Sequence, residues 1–77
     1  MDELLANMVK AIVDLPDDVK VNINESDNTR IFELEVGEGD IGKVIGKKGK
    51  NVNALRVILS AATAKDGEKR AILEVIE

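Results

Sequence analysis

Apolar and polar positions change period several times along the chain, and each change marks an element. Leu5, Met8, Ile12 and Leu15 recur at spacings of three, four and three, which is one face of a helix. Asp2 is placed to cap it, with Asp2 and Glu3 on the favourable end of its dipole. Pro16 is expected to end that helix, because a proline pushes the preceding residue out of helical geometry. Asp17-Asp18 then turn the chain. Val19, Val21 and Ile23 alternate with Lys20, Asn22 and Asn24, the period of a strand with one buried face. Ser26-Asp27-Asn28-Thr29 has turn chemistry, and Phe32, Leu34 and Val36 alternate with Glu33 and Glu35, so a hairpin is expected. Gly37-Glu38-Gly39 breaks the second strand.

Asp40 is a candidate N-cap for a short helix carrying Ile41, Val44 and Ile45, which stops at Gly46. A longer helix begins near Lys50, with Val52, Leu55, Leu59 and Ala62 toward the core and Ile58 adjoining. Asp66-Gly67-Glu68 is its stop. Ala71, Leu73 and Val75 form a last strand, with Ile72 and Ile76 on the reverse face. The order is α-β-β-α-α-β, in one domain over residues 1–77.

Charge sharpens this picture. From Ile41 to Lys65 the chain holds Lys43, Lys47, Lys48, Lys50, Arg56 and Lys65 and no acid, a charge of +6. The whole chain is −4, so the rest carries −10. Positive charge is concentrated around the turn Gly46-Lys47-Lys48-Gly49, as expected for an anion, with phosphate first. Glycines at both ends admit positive φ and close backbone approach. The following helix offers free N–H groups and a positive dipole end. Lys43 lies one turn back and Lys50 one step on. A plain helical hairpin with solvated lysines would not account for a 25-residue acid-free zone in an acidic chain. Gly42 adds a second clue. Glycine within a helix costs about 1 kcal/mol relative to alanine, so either a ligand or a tightly packed neighbour should need the missing side chain.

Other chemistries are poorly supplied. There is no Cys and no His, which removes disulfides and the commonest general base and metal ligand. Ser26 and Ser60 therefore have no imidazole to activate them. Glu33 and Glu35 read as solvated, as do Asp14, Asp17 and Asp18 near Pro16. The segment from Gly42 to Lys48 has three residues between its glycines, and Lys48 stands where a P-loop needs Ser or Thr. No apolar run exceeds four residues, far short of a membrane span. The acidic start Met1-Asp2-Glu3 is unlike a signal peptide. A cytoplasmic protein with no catalytic role and no cofactor is expected.

Val44-Ile45-Gly46-Lys47-Lys48-Gly49-Lys50-Asn51-Val52 resembles the KH-domain signature Ile-Gly-x-x-Gly-x-x-Ile, departing from it only at Val52. The element order is similar to the type II arrangement of that fold. The resemblance covers essentially the whole chain and is greatest to the small single-domain KH proteins of bacteria. It implies an α+β fold, a three-stranded sheet with helices on one face. It also implies that Gly46, Lys47, Lys48 and Gly49 clamp the backbone of about four single-stranded RNA nucleotides. Lys43, Lys50 and Arg56 would add charge. Bases would enter an aliphatic groove floored by Gly42 and Ile45, with Ile41, Val44, Val52 and the second strand as further candidates. Phe32 is the only aromatic and reads as core, so RNA modules that stack bases on aromatic platforms fit poorly. By the same resemblance, partners would be single-stranded RNA, a second copy as homodimer and a larger KH-containing protein. The alternative is a protein–protein adaptor on the same scaffold, for which Ile72 and Ile76 would supply an apolar surface unless the chain end covers them.

Overall fold

The computed structural model describes residues 2–65 and 69–76. The capping side chain of Asp2 and the stop at Asp66-Gly67-Glu68 fall outside what it describes. The elements are α1 (Asp2–Lys10), a 3-10 turn at Pro16–Asp18, β1 (Lys20–Glu25), β2 (Thr29–Glu35) and α2 (Ile41–Ile45). A second 3-10 turn at Lys47–Gly49, α3 (Lys50–Lys65) and β3 (Arg70–Ile76) complete the chain. This is the expected α-β-β-α-α-β order.

The sheet runs β1-β2-β3, with β2 central. β1 is antiparallel to β2, pairing Val21 with Leu34 and Ile23 with Phe32. β3 is parallel to β2, pairing Phe32 with Leu73 and Leu34 with Val75. Partners directly opposite share a face, so the alternating apolar residues of all three strands fall on one side. There they meet Leu5 and Val9 of α1, Val44 of α2, and Val52, Leu55 and Leu59 of α3. Phe32 is fully buried at the centre. The hairpin closes on Ser26 and Thr29, whose hydroxyls lie 2.7 Å apart while the Ser26 N–H donates to the Thr29 carbonyl at 2.9 Å.

Three sequence expectations change. First, α1 stops at Lys10, and its buried pair is Leu5 and Val9, whereas Ile12 and Leu15 are 39% and 42% exposed. The 3.6-residue pattern runs past the helix because the N–H groups of Asp14 and Leu15 donate instead to the carboxylate of Asp40, at 3.2 and 2.9 Å. Pro16 accordingly opens a 3-10 turn rather than closing a helix, a position that suits its fixed φ. Second, Asp40 precedes α2 but makes no side-chain cap. Its backbone is already helical (φ −93°, ψ −10°), and its carboxylate, in a residue only 2% exposed, is occupied by the segment 25 residues away. Third, the core face of α3 ends on Thr63, 1% exposed, with Ala62 only half-buried.

Candidate nucleic-acid interface

The basic turn is built by two glycines that do different work. Gly46 ends α2, donating its N–H to the Gly42 carbonyl at 2.9 Å. Its φ of 77° and ψ of 170° lie in a region essentially reserved for glycine. A Cβ there would also stand 2.7 Å from Asn51 Cγ and 2.9 Å from Asn51 N. Gly49, also at φ 77°, has room: a Cβ would meet only Asn53 Nδ2, at 3.7 Å. Between them Lys48 adopts φ 58°, ψ 25°, a left-handed conformation uncommon for a residue with a side chain. The Gly49 N–H closes the turn on the Gly46 carbonyl at 3.1 Å. Asn51 locks it from the far side, donating from Nδ2 to the Lys43 carbonyl at 2.8 Å.

The lock leaves the turn's outer surface open. Lys47 and Lys48 are exposed, and their backbone N–H groups have no acceptor among the described residues. Lys50, at the start of α3, is exposed too. On α2, Val44 is fully buried, Ile45 is 40% exposed and Gly42 is exposed. Nothing lies within 4 Å of where a Gly42 Cβ would be, so tight packing against a neighbouring helix does not explain this glycine. Gly42 and Ile45 form an open, uncharged surface next to the lysines. Val52 is 9% exposed and Val44 0%; both belong to the core.

Arg56, one and a half turns further along α3, faces a cleft of about 460 Å³ shared with Ser60 and with Arg70, Ala71, Ile72 and Leu73 of β3. The strand that walls α3 is thus the third, an edge strand, and not the second. Sequence reasoning missed Arg70 and Ser60 because the cleft arises only where β3 returns beside α3. It also missed Asn51, for which one signal exists: asparagine is a poor helix former in the first turn after a glycine. Asp40's role as a tie to Asp14 and Leu15 has no local signature.

Charge pairing divides the surface. Glu25 takes Lys69 at 2.8 Å and Arg30 at 2.6 Å; these bonds, Lys69's first, hold its carboxyl below the usual glutamate value. Lys20 faces Glu35 at 3.9 Å and Lys43 faces Asp14 at 3.3 Å. Lys47, Lys48, Lys50, Arg56 and Arg70 have no carboxylate partner among the described residues.

A three-stranded mixed sheet with helices on one face, and a Gly-x-x-Gly turn between two of those helices, define a type II KH domain. The family model "KhpA/KhpB, KH domain" matches residues 2–75, and the chain belongs to that family. It is 43% identical to the RNA-binding protein KhpA of Chlamydia trachomatis, over 100% of this chain and 97% of that protein. Identity is 45% to the RNA-binding protein KhpA of Caldanaerobacter subterraneus, covering 99% and 100% of the two chains. It is 39% to that of Listeria monocytogenes, covering 100% of both. No solved structure matches the chain. Among the described residues no helix is long and apolar enough to cross a membrane.

Proposed function

We propose that this chain is a non-catalytic, cytoplasmic module that binds single-stranded RNA. The observation that carries the reading is the exposed Lys47-Lys48 turn, held by Gly46 and Asn51 with its N–H groups free and its charges unpaired. A sugar-phosphate backbone meets both needs of such a turn, an acceptor for N–H and a counter-charge for lysine. Lys43 and Lys50 flank the phosphate path, and Arg56 extends it. Gly42 and Ile45 receive bases, which requires bases free of a partner strand, so duplex RNA should bind more weakly. No cofactor or metal enters this mechanism. The relatives named as RNA-binding proteins support the RNA-binding part of this reading.

The test is Lys47→Asp with Lys48→Asp, which moves the local charge by −4 and leaves both glycines. Asp enters left-handed backbone more readily than most residues, so position 48 tolerates the change. Both sites are solvated, so stability should shift by about 0.5 kcal/mol per site or less. The parent should show a slope of log K against log salt of roughly −2 to −3. The double variant should lose at least about tenfold in affinity, with a slope nearer zero. A variant that melts normally and binds single-stranded RNA like the parent refutes the clamp.

A second reading, protein contact, is favoured by Val57 and Ile58 on α3, 68% and 41% exposed, and by Ile76 at 44%. The contact would be a second copy of the chain or a larger KH-containing protein. Copurification that survives nuclease treatment would establish it.

A further inference from the structure

The basic run from Ile41 to Lys65 contains no acid, yet folding brings one to it. The Asp14 carboxylate lies 3.3 Å from the Lys43 ammonium. Of the six cations in that run, Lys43 alone has a carboxylate partner among the described residues. Asp14 is not there by loose approach, because its backbone is pinned. The N–H groups of Asp14 and Leu15 donate to the Asp40 carboxylate at 3.2 and 2.9 Å. Asp40 is 2% exposed and directly precedes α2. Leu15 is held on its other side, with its Cδ1 2.7 Å from where a Gly37 Cβ would stand. The segment that carries Asp14 is thus tied to the helix that carries Lys43.

A carboxylate and a phosphate ask the same thing of a lysine: each offers anionic oxygens to its ammonium. Lys43 also leads directly into the turn. Its carbonyl accepts from Asn51 Nδ2 at 2.8 Å, and α2 gives way to the turn at Gly46. A phosphate that approaches Lys43 from the turn must therefore share it with Asp14 or displace it, and meets a like charge beside it. The pair is open to solvent, the side chains of Lys43 and Asp14 being 45% and 76% exposed. Exposed pairs are weak and are screened by salt. The contact is thus exchangeable, and it sets a graded penalty rather than a block.

Resting on the RNA-binding reading, we propose that Asp14 is an intrachain competitor for RNA phosphate, an autoinhibitory contact that lowers the affinity of the basic turn by occupying Lys43. In the free protein Asp14 holds Lys43. In the complex Lys43 turns to phosphate and Asp14 is released to water. Lys47, Lys48 and Lys50 have no such competitor among the described residues, so their part of the attraction is undiminished. The domain is therefore a weaker and more readily released binder than its lysines alone would make it. Because the contact is electrostatic and exposed, its effect fades as salt rises.

The experiment uses a fluorescein-labelled single-stranded RNA pool of randomised sequence, about ten nucleotides long and so longer than the roughly four that such a loop holds. Anisotropy titrations at low and high salt compare the parent with Asp14→Asn, Lys43→Gln, the two combined, and Glu74→Gln, each checked by thermal melt. Glu74 is exposed and, in register with Glu33, lies on the sheet face away from the core. Its variant makes the same change of net charge far from Lys43. Asp14→Asn keeps the backbone N–H that Asp40 holds. It should bind about threefold to tenfold more tightly than the parent at low salt, and the gain should shrink as salt rises. In the Lys43→Gln background the same change should alter affinity by less than about twofold, and so should Glu74→Gln in the parent. Asp14→Ala serves if Asp14→Asn melts early. Affinity of the Asp14 variant equal to or below that of a parent that binds overturns the competition and leaves the clamp standing. A gain that persists in the Lys43→Gln background, or that Glu74→Gln matches, overturns it as well, since the carboxylate would then act through net charge. A parent that binds no RNA overturns the RNA-binding reading itself, and this inference with it.

Discussion

Gly42→Ala should separate stability from binding, because the same added methyl does opposite things to each. Gly42 lies inside α2 with helical backbone, and a Cβ built there meets nothing within 4 Å. Alanine in a helix is favoured over glycine by about 0.5–1 kcal/mol, through helix propensity and a less disordered unfolded chain. In a domain of this size 1 kcal/mol moves Tm by about 4–8 °C, so a rise of roughly 2–8 °C is expected. The methyl would project into the space that the proposed function assigns to a nucleotide. Forcing an extra carbon against a seated neighbour costs about 1–3 kcal/mol, or roughly fivefold to 150-fold in Kd. The assays are a thermal melt and a titration with single-stranded RNA on the same preparations. A higher Tm with unchanged affinity would refute the argument that bases lie over Gly42. A lower Tm would refute the open geometry at that position.

Gly46→Ala should destabilise by about 2–4 kcal/mol in denaturant melts, adding forbidden backbone to a collision with Asn51. Gly49→Ala, with the same φ but no such collision, should cost only about 1 kcal/mol. Asp40→Ala leaves the N–H groups of Asp14 and Leu15 without their acceptor and should cost about 1–3 kcal/mol by the same measurement. Thr63→Val should raise Tm by about 4–8 °C in calorimetry, because the buried Thr63 hydroxyl has no hydrogen-bond partner among the described residues and its replacement removes about 1 kcal/mol of desolvation cost.

The strands were legible because their signal is local and repeats every two residues. Phe32 and Leu34 sit where alternation puts them, and the pairing of Val21 and Ile23 opposite them follows from one shared buried face. The first helix was legible too, but its end at Lys10 was not, because a periodic pattern does not record where a helix is interrupted. Ile12 and Leu15 continue the spacing, yet a carboxylate 25 residues away takes the N–H groups that a helix would have used. The site divides in the same way. Glycine spacing and an acid-free run announce the turn, and the structure puts both glycines at positive φ. The bond from Asn51 to the Lys43 carbonyl and the meeting of Arg56 with Arg70 depend on tertiary approach. Arg70 lies outside the acid-free run, past the masking acids at 66 and 68.

How an acidic chain holds a polyanion is a question of distance rather than of total charge. At physiological ionic strength exposed charges are screened beyond about 8 Å, so the −4 of the whole chain matters little at any one point and the local arrangement decides. Here two of the acids sit on cations of their own: Glu25 on Lys69 and Arg30, Glu35 on Lys20. Among the described residues, Lys47, Lys48, Lys50, Arg56 and Arg70 have no carboxylate partner. Asp14, 76% exposed, lies 3.3 Å from Lys43 and offsets that cation. On the proposed reading this arrangement does more than permit binding. RNA would be attracted to the turn at Lys47 and Lys48, and exposed carboxylates elsewhere, such as Asp17, Asp18 and Glu38, would disfavour contact on the other surfaces. A uniformly basic domain of the same size would bind the backbone wherever it touched. On that reading, concentrating the positive field confines contact to the place where Gly42 and Ile45 would meet bases.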